Sequence, residues 1–385
     1  MQITPGLPPL ARGLTQASSR NDAGLLPAPG TDEVLLSDNP PPPDAQYGMK
    51  PEIREKNRRD QRIEHNSRFP RKRFYHGYEA TVQQLRDMAA RHPDRALLQA
   101  IGKTYEGRQI WALKITRGAP NDASDKPAVV MTGLHHAREW MTVESTLKLA
   151  DALLEGYATD PAMRHRVDHA ETWIVPIVNP DGYEYSREAN SAWRKNRTPQ
   201  DGGWFGVDIN RNYYDPAHPE LYRLPSDSAQ STDDDIGASD DPSSEAFRGP
   251  SGNSERETNA MRDLVMRPNV VGVLDHHSYG EMILRPPNEV VTNATRLKNY
   301  DEIGRRMKAA QSKPYSYIPT DQLYPTTGDS GAVFEKHGRY GMVIEMGTSF
   351  RPDGHRVASV TKEVVAADLA FIDAMIEVSG GKATS

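Results

Sequence analysis

Residues 128–157 read AVVMTGLHHAREWMTVESTLKLADALLEGY, which places an apolar run, a polar loop and a helix-like segment in direct succession. The run at residues 128–132 is apolar throughout and is closed by Gly133, which is typical of a strand buried on both faces. Residues 142–157 carry leucines on the apolar positions of a helix. A buried strand followed by a helix is the repeating unit of α/β proteins.

The same pattern recurs along the rest of the chain. Apolar runs predict further buried strands at residues 172–178, 270–274 and 341–344, and helical patterns occupy residues 79–91 and 360–378. The Asn-Pro-Asp-Gly sequence at residues 179–182 predicts a turn, and the stretch 214–243, rich in Asp, Ser and Pro, predicts a long surface loop. We expect an α/β fold, a single globular domain with a mixed, mostly parallel twisted sheet covered by helices on both faces.

The N-terminal segment differs in composition from the rest of the chain. Residues 1–73 are rich in proline and charge and poor in aromatic residues, so they cannot bury enough apolar surface to offset the entropy of ordering. We expect a largely disordered extension over residues 1–73 and the globular domain over residues 74–385. The N-terminus lacks a basic start and an apolar core, so no secretory signal peptide is expected, and the compartment stays open.

Charge and cysteine content limit the possible functions. The net charge of −6 favours neither nucleic acid nor anionic membranes as partners. No stretch approaches the roughly 18 apolar residues of a membrane span. Because the chain has no cysteine, it can form neither disulfides nor thiolate metal sites, and any zinc ion must be bound by His, Asp or Glu.

Potential metal ligands follow two of the predicted strands. His136 and Glu139 form a His-x-x-Glu pattern after the first strand, and His277 follows the strand at residues 270–274. Side chains after strand ends meet at one edge of an open α/β sheet, and two histidines with one glutamate form a catalytic zinc site. His135 and His276 each precede a preferred ligand by one residue, and spacing alone does not separate them.

Three arginines accompany these ligands in the sequence. Arg138 lies inside the His-x-x-Glu pattern, Arg194 follows Trp193, and Arg211 follows Asn210. One guanidinium near a metal can bind a substrate carboxylate in a bidentate manner, and another can stabilise the oxyanion that develops on a scissile carbonyl.

These residues fall within motifs that together resemble the zinc carboxypeptidases of the carboxypeptidase A/B and carboxypeptidase T types. The motifs, in order, are His-Ala-Arg-Glu-Trp (136–140), Asn-Pro-Asp-Gly-Tyr (179–183), Trp-Arg-Lys (193–195), Val-Asp-Ile-Asn-Arg-Asn (207–212), Phe-Arg-Gly-Pro with Ser-Glu (247–250 and 254–255), His-Ser-Tyr (277–279) and Val-Ile-Glu-Met (343–346). The resemblance spans roughly residues 74–378.

The resemblance implies one zinc ion per chain, bound by His136, Glu139 and His277. It implies that Asp208 hydrogen-bonds the outer nitrogen of His136, which orients the ring. Glu345 would then be the general base that takes a proton from water and delivers it to the leaving amine. Glu335 is the alternative carboxylate, although it matches no motif.

The resemblance also implies a set of substrate-binding residues. Arg194 would stabilise the oxyanion, while Asn210 and Arg211 would bind the terminal carboxylate of the substrate. Arg138 would help that carboxylate to approach, Tyr279 would line the site for the penultimate residue, and Tyr324 would close over the terminal residue. These six residues are Arg138, Arg194, Asn210, Arg211, Tyr279 and Tyr324.

The resemblance implies that the pocket for the terminal side chain lies around Thr326, Asp329, Ser330 and Gly331. Asp329 could attract a terminal Lys or Arg. In related bacterial enzymes the loop often continues with an Asp and a Trp after Gly-Asp-Ser, and both are missing here, so we expect hydrophobic or broad specificity.

The sequence therefore predicts a zinc-dependent metallocarboxypeptidase that acts on peptide or protein C-termini and is expected to be a monomer. The alternatives are a zinc amidase of the same fold that acts on acyl-amino acids or cell-wall peptides, and an inactive module that binds peptide C-termini. An Asp-rich loop could bind calcium, but it lacks EF-hand spacing, so a solvated loop is favoured; its aspartates are Asp233, Asp234, Asp235, Asp240 and Asp241.

Overall fold

A computed structural model describes residues 72–120, 125–224 and 237–380. Within these ranges eight strands form one sheet, in the order β1-β2-β4-β3-β5-β8-β6-β7. The strands are β1 Ala96–Lys103, β2 Gln109–Ile115, β3 Ala128–Gly133, β4 Glu171–Val175, β5 Val270–His277, β6 Met282–Arg285, β7 Ser316–Pro319 and β8 Tyr340–Glu345.

The centre of the sheet is parallel and its edges are mixed. Strands β4, β3, β5 and β8 run parallel to one another. At one side β2 pairs antiparallel with β4 and with β1, and at the other side β6 pairs antiparallel with β8. Because the four central strands share one direction, their carboxyl ends lie together at one edge of the sheet. That edge holds the residues discussed below.

Helices cover both faces of this sheet. They are α1 Tyr78–Arg91, α2 Met141–Gly156, α3 Pro161–His169, α4 Pro180–Glu188, α5 Arg256–Val265, α6 Ala294–Ala310, α7 Ser330–Lys336 and α8 Gly354–Val378. Strand β3 shows how two cores arise from one strand, since successive side chains point to opposite faces. Val129 and Met131 pack into the core that contains α1, α2, α6 and α8, whereas Val130 packs into the core that contains α5 and α7. The predicted mixed α/β fold is confirmed.

Three local predictions need correction. The Asn-Pro-Asp-Gly sequence at residues 179–182 begins helix α4 rather than forming a turn, because the Asn179 side chain caps the helix and Pro180 occupies its first turn. Strand β5 extends three residues beyond the predicted end, so His277 is its last residue and not part of a following loop. Strand β4, in contrast, ends at Val175, three residues before the predicted end.

Some expectations fall where the structure gives no description. The predicted disordered extension, residues 1–73, lies outside the described residues except for Lys72 and Arg73, which belong to a short 3₁₀ helix. Residues 225–236 of the predicted surface loop are likewise outside them, and the described parts on either side contain one 3₁₀ helix, Pro219–Tyr222. None of the helices in the described ranges has the length and apolar character that crossing a bilayer requires.

Candidate metal centre and substrate cleft

The three predicted zinc ligands converge at the carboxyl ends of β3 and β5. These strands are neighbours in the sheet, and Gly133 lies beside His276 in their register. The Nδ1 atom of His136 lies 3.0 Å from Nδ1 of His277. Glu139 places one carboxylate oxygen 2.8 Å from the first nitrogen and the other 3.0 Å from the second. The donor atoms therefore surround one point, and the His2Glu set matches a catalytic zinc site that leaves a coordination position open.

Each histidine of this group turns its outer nitrogen toward a carboxylate. The Nε2 atom of His136 lies 3.3 Å from Asp208, and Nε2 of His277 lies 3.0 Å from Asp275. A carboxylate at the outer nitrogen favours the tautomer with its proton there, which leaves Nδ1 available for a metal. The role of Asp208 in orienting the His136 ring stays a prediction, and the carboxylate lies within 3.3 Å of that nitrogen.

The surroundings of His136 and Glu139 favour the forms that bind metal. For His277 in the protein alone, burial lowers the pKa, but Asp275 and then Glu139 outweigh burial and hold the pKa well above its usual value. Burial and then the Arg194 guanidinium lower the pKa of His136, which favours the neutral imidazole. Burial raises the pKa of Glu139, but His136 and His277 outweigh it and the net pKa lies below the usual range. Burial likewise raises the pKa of Asp208, but Arg194 and His136 hold it well below its usual value.

Glu345 lies directly beside the metal group, which is the set of potential metal ligands His136, Glu139 and His277. It ends strand β8, and in the parallel register of β5 and β8 it is the partner of His277. In the protein alone, burial first and then the carboxylates of Glu139 and Asp275 raise its pKa to about 7, against the opposing effects of His277 and Arg194. A carboxyl group with a pKa near neutrality can both accept and deliver a proton.

A cleft opens from this group toward strands β6 and β8. Asn210, Arg211, Tyr324 and Asp329 line it, together with His136, His277 and Glu345. Arg211 is held in place by a bond from Nη1 to the Asn210 carbonyl of 2.8 Å, and its Nη2 lies 3.5 Å from the Tyr324 hydroxyl. Thr326 also lines the cleft, whereas Ser330 and Gly331, expected at the same pocket, do not.

Three other predicted substrate residues do not line the cleft. Arg194 directs Nε and Nη2 at Asp208, at 2.8 and 2.7 Å. Arg138 is buried, pairs with Glu245 at 2.7 Å and lies over the ring of Phe350. Tyr279 is buried with its ring 4.8 Å from that of Phe350.

The structure separates the alternatives that spacing left open. His135 directs Nε2 at the Tyr213 hydroxyl, 2.9 Å away. His276 directs Nδ1 at the Thr132 carbonyl and Nε2 at Asp368, on the far side of the strand. A second set of close donor atoms comes from His135, Asp275 and His277. In this set both histidines face the carboxylate of Asp275, which already holds the outer nitrogen of His277.

Glu335, the alternative base, lies away from the cleft. It is fully buried, pairs with Arg296 at 2.5 Å and accepts from the Tyr300 hydroxyl at 2.8 Å. Of the aspartates considered for calcium, Asp240 pairs with Arg248 and Asp241 accepts from the backbone N–H of Ser243. The other three lie outside the described residues, and neither group of potential metal ligands in the described ranges includes Asp240 or Asp241.

Comparison with known proteins agrees with this geometry. A family model described as zinc carboxypeptidase matches residues 81–365, which is most of the chain. The chain belongs to the zinc carboxypeptidase family. The family that the sequence motifs indicated is therefore confirmed.

Curated relatives of this zinc carboxypeptidase chain extend beyond the matched region. A zinc carboxypeptidase from Saccharothrix mutabilis subsp. capreolus is 41% identical over 141 residues, which cover 36% of this chain and 32% of that protein. Metallocarboxypeptidase A from Arthroderma otae is 31% identical over 272 residues, covering 66% of this chain and 59% of that protein. The chain thus spans from about a third to about three fifths of the length of these relatives.

A solved structure supports the fold assignment. The crystal structure of carboxypeptidase A from Helicoverpa armigera superposes with a TM-score of 0.67 at 24% identity, over 80% of this chain and 75% of that one. At this level of identity the similarity concerns the fold alone, an α/β sheet of the carboxypeptidase type.

Asp275 is the residue of this zinc carboxypeptidase site that the motifs did not reveal. Its carboxylate lies 2.8 Å from Nδ1 of His135 and 3.0 Å from Nε2 of His277, and it accepts from the Thr132 hydroxyl at 2.6 Å. A signal was present, because Asp275 precedes His277 by two residues and side chains at that spacing share one side of a strand.

Proposed function

We propose that this chain is a zinc-dependent metallocarboxypeptidase that hydrolyses the C-terminal peptide bond of peptides, with one zinc ion bound by His136, Glu139 and His277. The observation that carries the proposal is the position of Glu345, beside His277 in the sheet register and on the wall of the cleft that Arg211 also lines. Zinc bound there supplies a Lewis acid and makes water a nucleophile near neutral pH.

Glu345 is the general base in this scheme. It accepts a proton from the attacking water and delivers that proton to the nitrogen of the leaving amine when the peptide bond breaks. Arg194 acts on the carbonyl oxygen. Its Nε and Nη2 hold Asp208, so Nη1 is the donor that we assign to the developing oxyanion.

Arg211 restricts the reaction to the last residue of the substrate. Its guanidinium is buried, and Asn210 lies beside it on the cleft wall. A terminal carboxylate can pair with this guanidinium, whereas an internal peptide offers it no carboxylate and leaves a buried charge unpaired. A loss of about 3 kcal/mol corresponds to discrimination of roughly a hundredfold. In this scheme Tyr324, which lines the cleft, covers the terminal residue. The roles of Arg138 in its approach and of Tyr279 beside the penultimate residue stay predictions, because neither residue lines the cleft.

The first test is Glu345→Gln, which keeps the shape of the side chain and removes the base. We expect the variant to bind about one zinc per chain while the release of amino acids from blocked dipeptides falls by about a hundredfold or more. The measurements are zinc content by mass spectrometry and turnover on peptides, acyl-amino acids and cell-wall peptides.

Glu335→Gln serves as the control for this experiment, because it alters the alternative carboxylate, which lies away from the cleft. Its turnover per folded molecule should match the wild type. Full turnover in Glu345→Gln would refute the assigned base. A zinc-loaded wild type that acts only on acyl-amino acids or cell-wall peptides would refute the carboxypeptidase assignment in favour of an amidase.

A further inference from the structure

Helix α3 carries two exposed histidines on one face. His165 and His169 are four residues apart, which is the spacing that brings two side chains together on a helix. Their ring centroids lie 4.2 Å apart, with an angle of 31° between the ring planes. Both residues are exposed. The two imidazoles therefore form a pair that an ion can reach from solvent.

A hydrogen bond already orients the ring of His169. Its Nδ1 atom lies 2.8 Å from the carbonyl oxygen of His165, and because a carbonyl only accepts, this nitrogen carries the proton. The lone pair of the ring is then on Nε2. Within the described ranges, neither this Nε2 nor either ring nitrogen of His165 has a hydrogen-bond or ion-pair partner. A ring N–H bonded to a backbone carbonyl is the arrangement that orients histidine ligands in metal sites.

The charges beside the pair are balanced. His165 lines a surface groove between helices α3, α6 and α8 that contains two arginines and two carboxylates. Arg166 pairs with Asp373 at 2.6 Å, and Arg306 pairs with Glu377 at 2.7 Å. Because each guanidinium in the groove faces a carboxylate, the groove does not repel a cation bound by the histidines.

The backbone of helix α3 holds the pair in place. Asp160 caps the start of the helix by accepting from the backbone N–H of Ala162 at 2.8 Å, and the Val167 side chain is buried in the core. His169 is the last residue of the helix, where the helix dipole favours a positive charge. Two ligands on a fixed helix lose little freedom when an ion binds, which favours affinity.

The pair lies at the opposite edge of the sheet from the candidate metal centre. Helix α3 ends at His169, and strand β4 begins two residues later at Glu171. Glu171 lies beside Ala128, the first residue of β3, in the parallel register. The three proposed zinc ligands lie at the carboxyl ends of β3 and β5 instead. An ion on α3 would therefore occupy a separate site.

We propose that His165 and His169 form a surface site for a divalent transition-metal ion of the class of Ni²⁺, Cu²⁺ and Zn²⁺, with Nε2 of His169 as one ligand. Imidazole nitrogens suit these ions, whereas Ca²⁺ and Mg²⁺ take oxygen ligands. Neither group of three potential metal ligands in the described part of the chain includes this pair, so water completes the coordination. The second imidazole binds intramolecularly, which makes the pair a stronger site than one histidine.

Calorimetry with Ni²⁺ tests the site on the full chain after zinc has been loaded. We expect one Ni²⁺ to bind per chain beyond the zinc, and Ca²⁺ to show no binding at the same concentrations. His165→Ala and His169→Ala each leave a single imidazole and should weaken Ni²⁺ binding by about tenfold or more. Circular dichroism checks that both variants keep the fold, and their release of amino acids from peptides should equal that of the wild type.

His355→Ala is the matched control. His355 is an exposed histidine on helix α8, and the residues four positions before and after it are Arg351 and Ser359. Its substitution should leave the Ni²⁺ affinity of the chain unchanged. Unchanged affinity in both α3 variants, an equal loss in His355→Ala, or no Ni²⁺ bound beyond the zinc would each overturn the proposal.

His277→Ala separates this site from the proposed zinc centre. The pair on α3 does not use His277, so this variant should bind Ni²⁺ at α3 with the affinity of the wild type. Loss of Ni²⁺ binding in His277→Ala, with binding retained in His165→Ala, would place the ion at the zinc centre and contradict the proposal. Because Ni²⁺ binding is measured without turnover, a chain that hydrolysed no peptide would refute only the proposed function.

Discussion

Glu257 is a buried carboxyl group of helix α5, outside the candidate site. It is almost fully shielded from solvent, and Asn196 donates to one of its oxygens at 3.3 Å. Burial, followed by the neighbouring carboxylates of Glu255 and Asp181, raises the pKa of Glu257 to about 8. The folded protein therefore holds a proton on this group at neutral pH, whereas the unfolded chain releases it.

This proton makes stability depend on pH. Between about pH 4.5 and pH 8 the folded state binds a proton that the unfolded state lacks, so the free energy of unfolding falls as pH rises through this window. Glu257→Gln mimics the protonated form and should remove this part of the dependence, so that the variant exceeds the wild type in stability at pH 8.5 and resembles it at pH 4.5.

Urea unfolding of both proteins across this pH range measures the effect. The exposed Glu289 offers a matched control, because Glu289→Gln makes the same chemical change in water. If Glu257→Gln were less stable than the wild type at pH 8.5, the carboxyl group would be stabilising as an anion, contrary to the raised pKa.

At the scale of elements, the start of helix α4 links the helix to the loop that carries the proposed zinc ligand His136. Asn179 accepts from the backbone N–H of Gly182 at 2.9 Å, and its amide donates to the carbonyls of His135 and Lys195, both at 3.1 Å. The residue is fully buried. One side chain thus caps the helix and holds the backbone that precedes the ligand His136.

Asn179→Ala should therefore cost more than the loss of a cap. Removing the cap and leaving two buried carbonyls without donors is expected to lower the free energy of unfolding by about 3 kcal/mol. Asp160 caps helix α3 through one bond of 2.8 Å to Ala162 on the surface, so Asp160→Ala should cost only about 1 kcal/mol. Denaturant unfolding compares the two; equal costs would show that the bonds to His135 and Lys195 add no stability.

For the whole molecule, the metal group joins parts of the chain that are far apart in sequence. His136 and Glu139 follow β3, while His277 ends β5, and Asp208 and Asp275 hold the two rings from outside. The unfolded chain does not keep these donors together, so an ion bound by them stabilises the folded state by mass action.

Removing the metal is thus expected to lower the melting temperature. At a free zinc concentration 1,000 times the Kd, binding adds about 4 kcal/mol, which is enough to shift Tm by several degrees. Calorimetry of the chelated protein, before and after zinc is restored, measures the shift. His277→Ala should abolish most of the zinc-dependent rise, and a rise of equal size in that variant would place the ion elsewhere.

The sequence by itself determined the features that depend on neighbouring residues. Apolar runs marked strands β3, β4, β5 and β8, and helical spacing marked α1, α2 and α8, because burial of a strand or of one helix face imposes a local pattern. The short strands β6 and β7 were not predicted, since four residues carry too little pattern. The turn expected at residues 179–182 was wrong because the same polar residues that favour turns also cap helices.

Only the tertiary structure decided which neighbour of each histidine pair lies with Glu139 in the group of potential metal ligands. His276 and His277 point to opposite sides of β5, and the side that meets His136 depends on how β3 lies against β5. The contacts of Asp275 were decided in the same way. They depend on atoms brought together by sheet register, and register is set by packing across the whole sheet rather than by any local run of residues.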